Sequence, residues 1–395
     1  MSESRSMLWY SNSPFSPTGY GVQTAMMMKL LPKDNYKVAV ACNYGLEGPN
    51  SHWNNGSEMI PLYARGNDMW SNDTITAHAW HWNNMNKGSK FLIMTLFDVW
   101  VFDKRHWGKY PVACWTPVDH NPVPSPVSDW ARNEFVTTIA MSRFGQAQYE
   151  AFGIEAEYIP HGIEKVWKPT EFLKTADGGE MNPRKFMKVE DDKFVIGINA
   201  ANKGFPSRKA WAENLLAFSI FAKDKDDVVL YLHTDIVGQG GSNLLDLIKS
   251  LGIPDDKVKW VDQYAYRSGL PQEVVAGIYS SMDVLLATSY GEGFGIPVLE
   301  ASACEVPVIV SDCAASSELA GPDSWKVGGQ LFWNPPMKAW YTIPNVNEIV
   351  DALEQAYKRG RKKSKKQREF ALQYDADLVY ETMWKPVLDK IYSKI

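Results

Sequence analysis

The stretch Tyr290–Pro307, YGEGFGIPVLEASACEVP, constrains this chain more than any other. The hydrophobic run before it, Asp283–Thr288, reads as a buried parallel strand. Gly291, Gly293 and Gly295 then allow a tight loop, and Pro297 stands near the start of a helical pattern, where its missing N–H costs nothing. A second buried strand, Val306–Val310, follows. This order of strand, glycine loop, helix and strand leaves backbone N–H groups at a helix N-terminus open to an anion. A phosphate or diphosphate fits against the N–H groups around Phe294–Ile296. Glu292 and Glu300 accept hydrogen bonds only, which suits them to hydroxyls. A ligand with a phosphate part and two hydroxyl-bearing parts is a nucleotide sugar. The same residues also fit an ordinary strand–turn–helix, with Glu292 solvated and Glu300 on an exposed helix face.

The whole string narrows the choice. It resembles the signature of the family-4 type (group 1) of retaining glycosyltransferases of GT-B fold, in which two glutamates are separated by seven residues: EGFG-x-P-x-x-E-A-x-A-x-G-x-P-V. Glu292, Gly293, Phe294, Gly295, Pro297, Glu300, Ala301, Ala303, Pro307 and Val308 match. Glu305 stands where the family usually has glycine, so a different turn is expected there. The resemblance implies that Glu300 binds the ribose, that Glu292 contacts the donor sugar, and that Gly293, Phe294, Gly295 and Ile296 lie against the donor phosphates.

At 395 residues the chain exceeds one ordinary domain, and two are expected. A net charge of −5 gives no overall drive toward nucleic acid or anionic membranes. The 16 tryptophans fit a bulky core with a few exposed rings, although aromatic platforms for a sugar or base are an alternative. Cys42, Cys114, Cys304 and Cys313 lack metal-ligand spacing and read as reduced thiols of a cytoplasmic protein. MSESRSMLWY has no apolar run long enough for a signal peptide, and no segment approaches a transmembrane span.

Strands and helices alternate through both halves, predicting two doubly wound, Rossmann-like α/β domains facing a cleft. The first, acceptor-side domain is expected over 1–169, a polar linker over 170–190, the donor-binding domain over 191–374, and a C-terminal helix crossing back to the first domain over 375–395. Ser6–Tyr10 leads into a loop in which Thr18 is placed to cap a helix and Gly19 and Gly21 permit close backbone approach; the resemblance makes Gly19, Tyr20 and Gly21 candidates for contact with donor phosphates or acceptor, with a simple strand–helix connection as the alternative. Strand Val112–Val118 ends in Asp119 and His120, where an open α/β sheet meets its ligand. Asp119 is a candidate to orient the acceptor, and His120 to bond a donor-sugar hydroxyl; a turn-capping Asp119 is the alternative. Pro160-His161-Gly162 is a second, weaker likeness to the same family. A helix with Ser207 as its cap is expected to run to Phe221, placing Arg208 and Lys209 near its start. The resemblance assigns this pair to the diphosphate, where fixed cations stabilise a leaving group. The basic run Lys358–Arg368 reads as a solvated helix face, with docking to an anionic partner as the alternative.

The resemblance implies a retaining, metal-independent hexosyl transfer from a nucleotide sugar, UDP- or GDP-linked, with no bound cofactor or metal. The acceptor is open among a DNA base, a glycan, a lipid and a small molecule. Transfer to a hydroxymethylated DNA base, nucleotide-sugar epimerisation on the same fold, and a non-catalytic nucleic-acid-binding module are the competing readings.

Overall fold

The computed structural model describes residues 4–174, 178–238 and 240–395. The first three residues of the N-terminal stretch and three residues of the expected linker therefore lie outside it. The chain forms two compact units, one from Met1–Gly162, Pro335–Ala339 and Ala376–Ile395, the other from Ile163–Asn334 and Trp340–Asp375.

Unit 1 is built on strands β1 (Arg5–Asn12), β2 (Tyr36–Tyr44), β3 (Ser51–Asn54), β4 (Met59–Tyr63), β5 (Lys90–Leu96), β6 (Val112–Thr116), β7 (Val136–Ala140) and β8 (Ala156–Tyr158). Their order is β3-β4-β2-β1-β5-β6-β7-β8. Every pairing is parallel except β3 with β4. Ser6–Asn12 of β1 is buried throughout, as a central strand with helices over both faces requires. The segment Ala376–Lys394 is helical, with a π turn at Tyr380–Trp384. That turn carries Trp384 onto Trp9 and Trp115, at ring centroid distances of 6.0 and 4.8 Å. The Tyr392 hydroxyl donates to the Ser6 carbonyl at 2.7 Å. The C-terminal helix thus completes the core of unit 1, and Trp9, Trp115 and Trp384 are core residues rather than ligand platforms.

Unit 2 opens with a short antiparallel pair, β9 (Leu173–Lys174) and β10 (Glu180–Met181). Its main sheet has β11 (Phe194–Asn199), β12 (Val228–His233), β13 (Val258–Trp260), β14 (Val284–Ala287), β15 (Val308–Ser311) and β16 (Ser324–Val327), in the parallel order β13-β12-β11-β14-β15-β16. A separate two-stranded sheet pairs β17 (Gly329–Asn334) with β18 (Ala339–Pro344). The strand order reverses at β11, between β12 and β14. Open α/β sheets bind ligands at the carboxyl ends of strands flanking such a point, and the loop after β14 is the Tyr290–Gly295 stretch.

Of the linker expected over 170–190, Thr170, Leu173 and Arg184 pack into unit 2. Thr170 N–H donates to the Ser280 hydroxyl at 3.0 Å, and Leu173 is buried. Arg184 is buried too and ion-pairs with Asp283 at 3.1 Å, while its second amino group reaches the Lys193 carbonyl at 2.7 Å. Mixed charge in the sequence signalled solvent exposure, but one of those charges anchors the segment to the strand entering β14.

The basic run also departs from a plain solvated face. Arg359 pairs with Asp323 at 3.2 Å and Arg361 with Asp283 at 3.7 Å. Lys363 donates to the Met282 carbonyl at 2.5 Å, and Arg368 to those of Trp167 and Ala303. Four of its cations hold unit 2 together.

Replacing Arg184 by Leu leaves Asp283 buried with a weaker partner. The expected loss is about 3 kcal/mol, read from urea unfolding of the two proteins. A loss below about 1 kcal/mol, the scale of an exposed pair, would show that this ion pair does not anchor the segment.

Candidate functional site

The helix Ile296–Ala303 begins at Gly295, whose φ of 126° lies in a region that a side chain rarely tolerates. Pro297 occupies the first turn, and no side chain caps the N-terminus. Phe294 beneath the loop is buried, with its ring 6.0 Å from that of Tyr374. Gly293–Ile296 therefore leads into a helix start that no side chain caps, the end of a helix that an anion favours. At the other end of this helix Glu305 sits at φ 64°. The departure from glycine leaves a left-handed turn in place and loads it with a side chain, rather than producing a turn of another shape.

Glu292 is largely buried, with 13% of its side chain exposed. It is held from two sides: Arg208 Nη1 at 2.7 Å from Oε2 and Lys209 Nζ at 2.5 Å from Oε1. Arg208 Nη1 also donates to the Gly291 carbonyl at 2.7 Å. Burial by itself raises the Glu292 pKa, but the two cations outweigh it and hold the carboxyl at about 2. The backbone joins the same two segments, since Tyr290 N–H donates to the Arg208 carbonyl at 2.7 Å. Arg208 keeps 38% of its side chain exposed, so the guanidinium is within reach of a ligand.

The helix expected from Ser207 starts later, at Trp211. Ala210 precedes it at φ 52°, so the backbone turns left-handed and Ser207 does not cap. Ser207 Oγ is buried instead. The result is a turn, not a helix face, that presents Arg208 and Lys209. Asn214 braces it by donating to the carbonyls of Lys209 and Thr288, each at 3.2 Å.

Glu300 lies in the opposite environment. It is buried, and burial raises its pKa to about 7 against the lowering effect of the Tyr279 hydrogen bond. Tyr279 donates to Glu300 Oε2 at 2.9 Å and accepts from Asn199 Nδ2 at 2.6 Å. Asn199 ends β11, at the reversal of strand order. Asn199 and Tyr279 escaped the sequence reading because neither belongs to a spaced motif. The polar residue at the end of a predicted buried strand was the available signal for Asn199.

Unit 1 carries the remaining candidates. Thr18 caps the helix Gly19–Leu30, accepting from Gly21 N–H at 3.1 Å and from Asn12 Nδ2 at 2.9 Å. Gly19 is the first residue of that helix. A Cβ on Gly21 would meet the Ser16 carbonyl oxygen at 2.3 Å, so this glycine serves loop packing. Tyr20 OH reaches Asp98 at 3.4 Å. Asp119 Oδ1 accepts from Nδ1 of the buried His120 at 2.6 Å, which fixes the imidazole after β6. The structure thus brings Arg208, Lys209, Glu292 and Gly293–Ile296 together in unit 2, and pairs Asp119 with His120 in unit 1. His161, from the weaker likeness, is fully buried against Trp115 at 4.3 Å, and burial lowers its pKa to about 3.

Residues 206–358 match the family profile of the group 1 glycosyl transferases. The matched segment holds Arg208, Lys209, Glu292 and Glu300. The chain is 38% identical over 177 residues to the O-antigen chain mannosyltransferase RfbU of Salmonella typhimurium, covering 43% of this chain and 48% of that protein. It is 30% identical over 126 residues to the serotype-specific mannosyltransferase WbdA of Escherichia coli, covering 31% of this chain and 14% of that one. The chain therefore spans about half or less of these curated relatives. Among solved structures it resembles sucrose-phosphate synthase from Thermosynechococcus elongatus, with a TM-score of 0.72 at 15% identity over 99% of this chain and 100% of that one. It also resembles HepE of Anabaena, solved with UDP-glucose, with a TM-score of 0.67 at 16% identity over 97% and 99% of the two chains. These likenesses establish the fold: a mixed α/β chain with parallel sheets that matches GT-B glycosyltransferases, as the sequence resemblance implied. Among the described residues no helix is long and apolar enough to cross a membrane.

The raised Glu300 pKa has a sign that can be measured. The native state holds this proton more tightly than the unfolded chain, so the stabilising contribution is full below the unfolded pKa of about 4.5 and is lost as pH rises through about 7. In ligand-free protein, Glu300→Gln should remove about 2 kcal/mol of the stability change between pH 5 and 8. Parallel stability–pH curves for the two proteins would contradict the assigned environment.

Proposed function

We propose that the protein is a retaining glycosyltransferase that moves a mannosyl group from a nucleotide sugar to a hydroxyl of an acceptor glycan. The observation that carries this reading is the Arg208–Glu292–Lys209 cluster beside the uncapped helix start at Gly295, inside the segment that matches the group 1 glycosyl transferases. Two cations held on Glu292 and the helix start three residues further along the chain supply groups that would stabilise the charge a diphosphate gains on leaving, and such preorganised groups are the usual largest catalytic contribution. The names of RfbU and WbdA support mannose as the sugar, and that of RfbU supports a carbohydrate chain as the acceptor.

In this reading Arg208 and Lys209 bridge Glu292 and the diphosphate. Glu292, kept ionised, accepts hydrogen bonds from the transferred sugar. Glu300, seated on Tyr279, accepts from the ribose hydroxyls. Asp119 orients the acceptor hydroxyl, and His120 bonds a hydroxyl of the donor sugar. The bond from the anomeric carbon to the diphosphate oxygen breaks while the acceptor oxygen bonds the same face of that carbon. The acceptor proton passes to the departing diphosphate oxygen, so atoms and charge balance and configuration is retained. With two protein cations on the leaving group, the reaction proceeds without a divalent ion.

A donor screen tests this. UDP-, GDP-, ADP- and dTDP-sugars are incubated with the protein in chelator, with and without oligosaccharide acceptors, and nucleoside diphosphate release is followed. Release from one mannosyl donor, stimulated by acceptor and reduced at least about a hundredfold by Glu292→Gln, is the expected result. Release restored only by a divalent ion refutes metal independence. Neither release nor binding of any donor refutes the transferase itself.

A further inference from the structure

The β17–β18 hairpin has two chemically different faces. On one, Phe332 and Tyr341 pack against the Tyr290 ring, at centroid distances of 6.4 and 6.3 Å. Thr342 N–H donates to the Tyr290 carbonyl at 2.9 Å, fixing the hairpin to the segment two residues before Glu292. On the other face, Leu331, Trp333 and Trp340 are 65%, 41% and 39% exposed. Strand alternation produces this split, with 331 and 333 pointing out where 332 points in. Trp333 and Trp340 lie 5.0 Å apart, ring to ring, in an edge-on contact at 61° that makes them one aromatic cluster. Residues 329–344 hold one formal charge, Lys338.

We propose that Leu331, Trp333 and Trp340 bind the acceptor glycan at sugars remote from the reacting hydroxyl. The proposal rests on the transferase reading for the identity of its ligand, an uncharged mannose-containing oligosaccharide. Exposed contiguous aromatic surface marks an interaction site, and tryptophan joins a flat apolar face to a polar N–H. The C–H face of a pyranose stacks on such a ring while its hydroxyls stay in water. A platform with a single charge suits a neutral chain and offers a polyanion such as DNA only Lys338 as a charged phosphate contact. Attachment to Tyr290 places the hairpin against the loop that carries Glu292, with the tryptophans on its outer face, so an oligosaccharide long enough to cross the hairpin can lie on them and still reach the loop. The hairpin then sets the acceptor length preference, without acting on the chemical step.

The experiment is isothermal titration of the whole protein with an α-mannohexaose and with mannose, for wild type, Trp333→Ala, Trp340→Ala and the double Phe variant, alongside nucleoside diphosphate binding. The expected result is hexaose binding well above that of mannose, reduced at least tenfold in each Ala variant. The Phe variant should keep affinity within about twofold, because it retains the rings. Nucleotide affinity should be unchanged throughout, which also shows that the variants fold. In turnover, KM for the hexaose should rise with kcat constant. Hexaose affinity equal in wild type and both Ala variants overturns the proposal. So does a wild-type dimer that the Ala variants convert to monomer, because the face is then a subunit contact. Hexaose binding that depends on the tryptophans, in a protein that releases no nucleotide from any donor, upholds the platform and refutes the transferase. Turnover insensitive to both tryptophans does the reverse.

Discussion

The pairing of Glu292 with Arg208 and Lys209 is the interaction on which the candidate site depends. It joins the loop after β14 to the turn before the helix Trp211–Phe221, two segments more than 80 residues apart in sequence. A carboxylate this buried needs compensating charge, and two cations this close to each other need a shared anion. Each requirement satisfies the other, and the backbone bond from Tyr290 to Arg208 sets the spacing. With two cations on one carboxylate the cluster keeps a net positive charge, which it can present to an anionic ligand.

Glu292 and Glu300, eight residues apart, show how burial without cations differs from burial with them. Both sit on one loop–helix segment, yet one is held at about 2 and the other at about 7. Glu300 has a phenol as its partner, which bonds the carboxyl but cannot neutralise it. Titratable groups driven apart by their surroundings are characteristic of functional sites. Such a division gives one group a permanent charge and the other a protonation state that responds to what binds beside it.

Around this segment the structure makes repeated use of polar ties to carbonyls and buried acids. Arg184 and Arg361 converge on Asp283 at the entry to β14, and Lys363 reaches the neighbouring Met282 carbonyl. On the exit side, Thr342 ties the aromatic hairpin to Tyr290. The strand–loop–helix unit that carries the two glutamates is therefore braced at both ends, which suits a site whose donors must be in place before reaction.

The sequence by itself determined the elements that depend on local pattern. Runs of β-branched and aliphatic residues such as VVLYL and VIV specify strands buried on both faces, because only a sheet covered on both sides removes such runs from water. Gly295 specifies a sharp loop into the helix, because few other residues reach a φ of 126°, and Pro297 suits the first turn that follows. Two α/β halves and the loop–helix segment were legible on these grounds, whereas Arg208 and Lys209 were singled out by the family resemblance. Tertiary structure alone decided the rest. Ala210 turns left-handed where its sequence context reads as helix, so the cap expected at Ser207 is absent. Charged residues at 184 and 361 look solvated in sequence, but a buried Asp283 draws them inward. Tyr279 becomes the partner of Glu300, and Asn199 that of Tyr279, only when β11 and the helix Gln272–Ser281 are laid beside β14. Such contacts depend on long-range packing and burial, and a local sequence window carries no record of either.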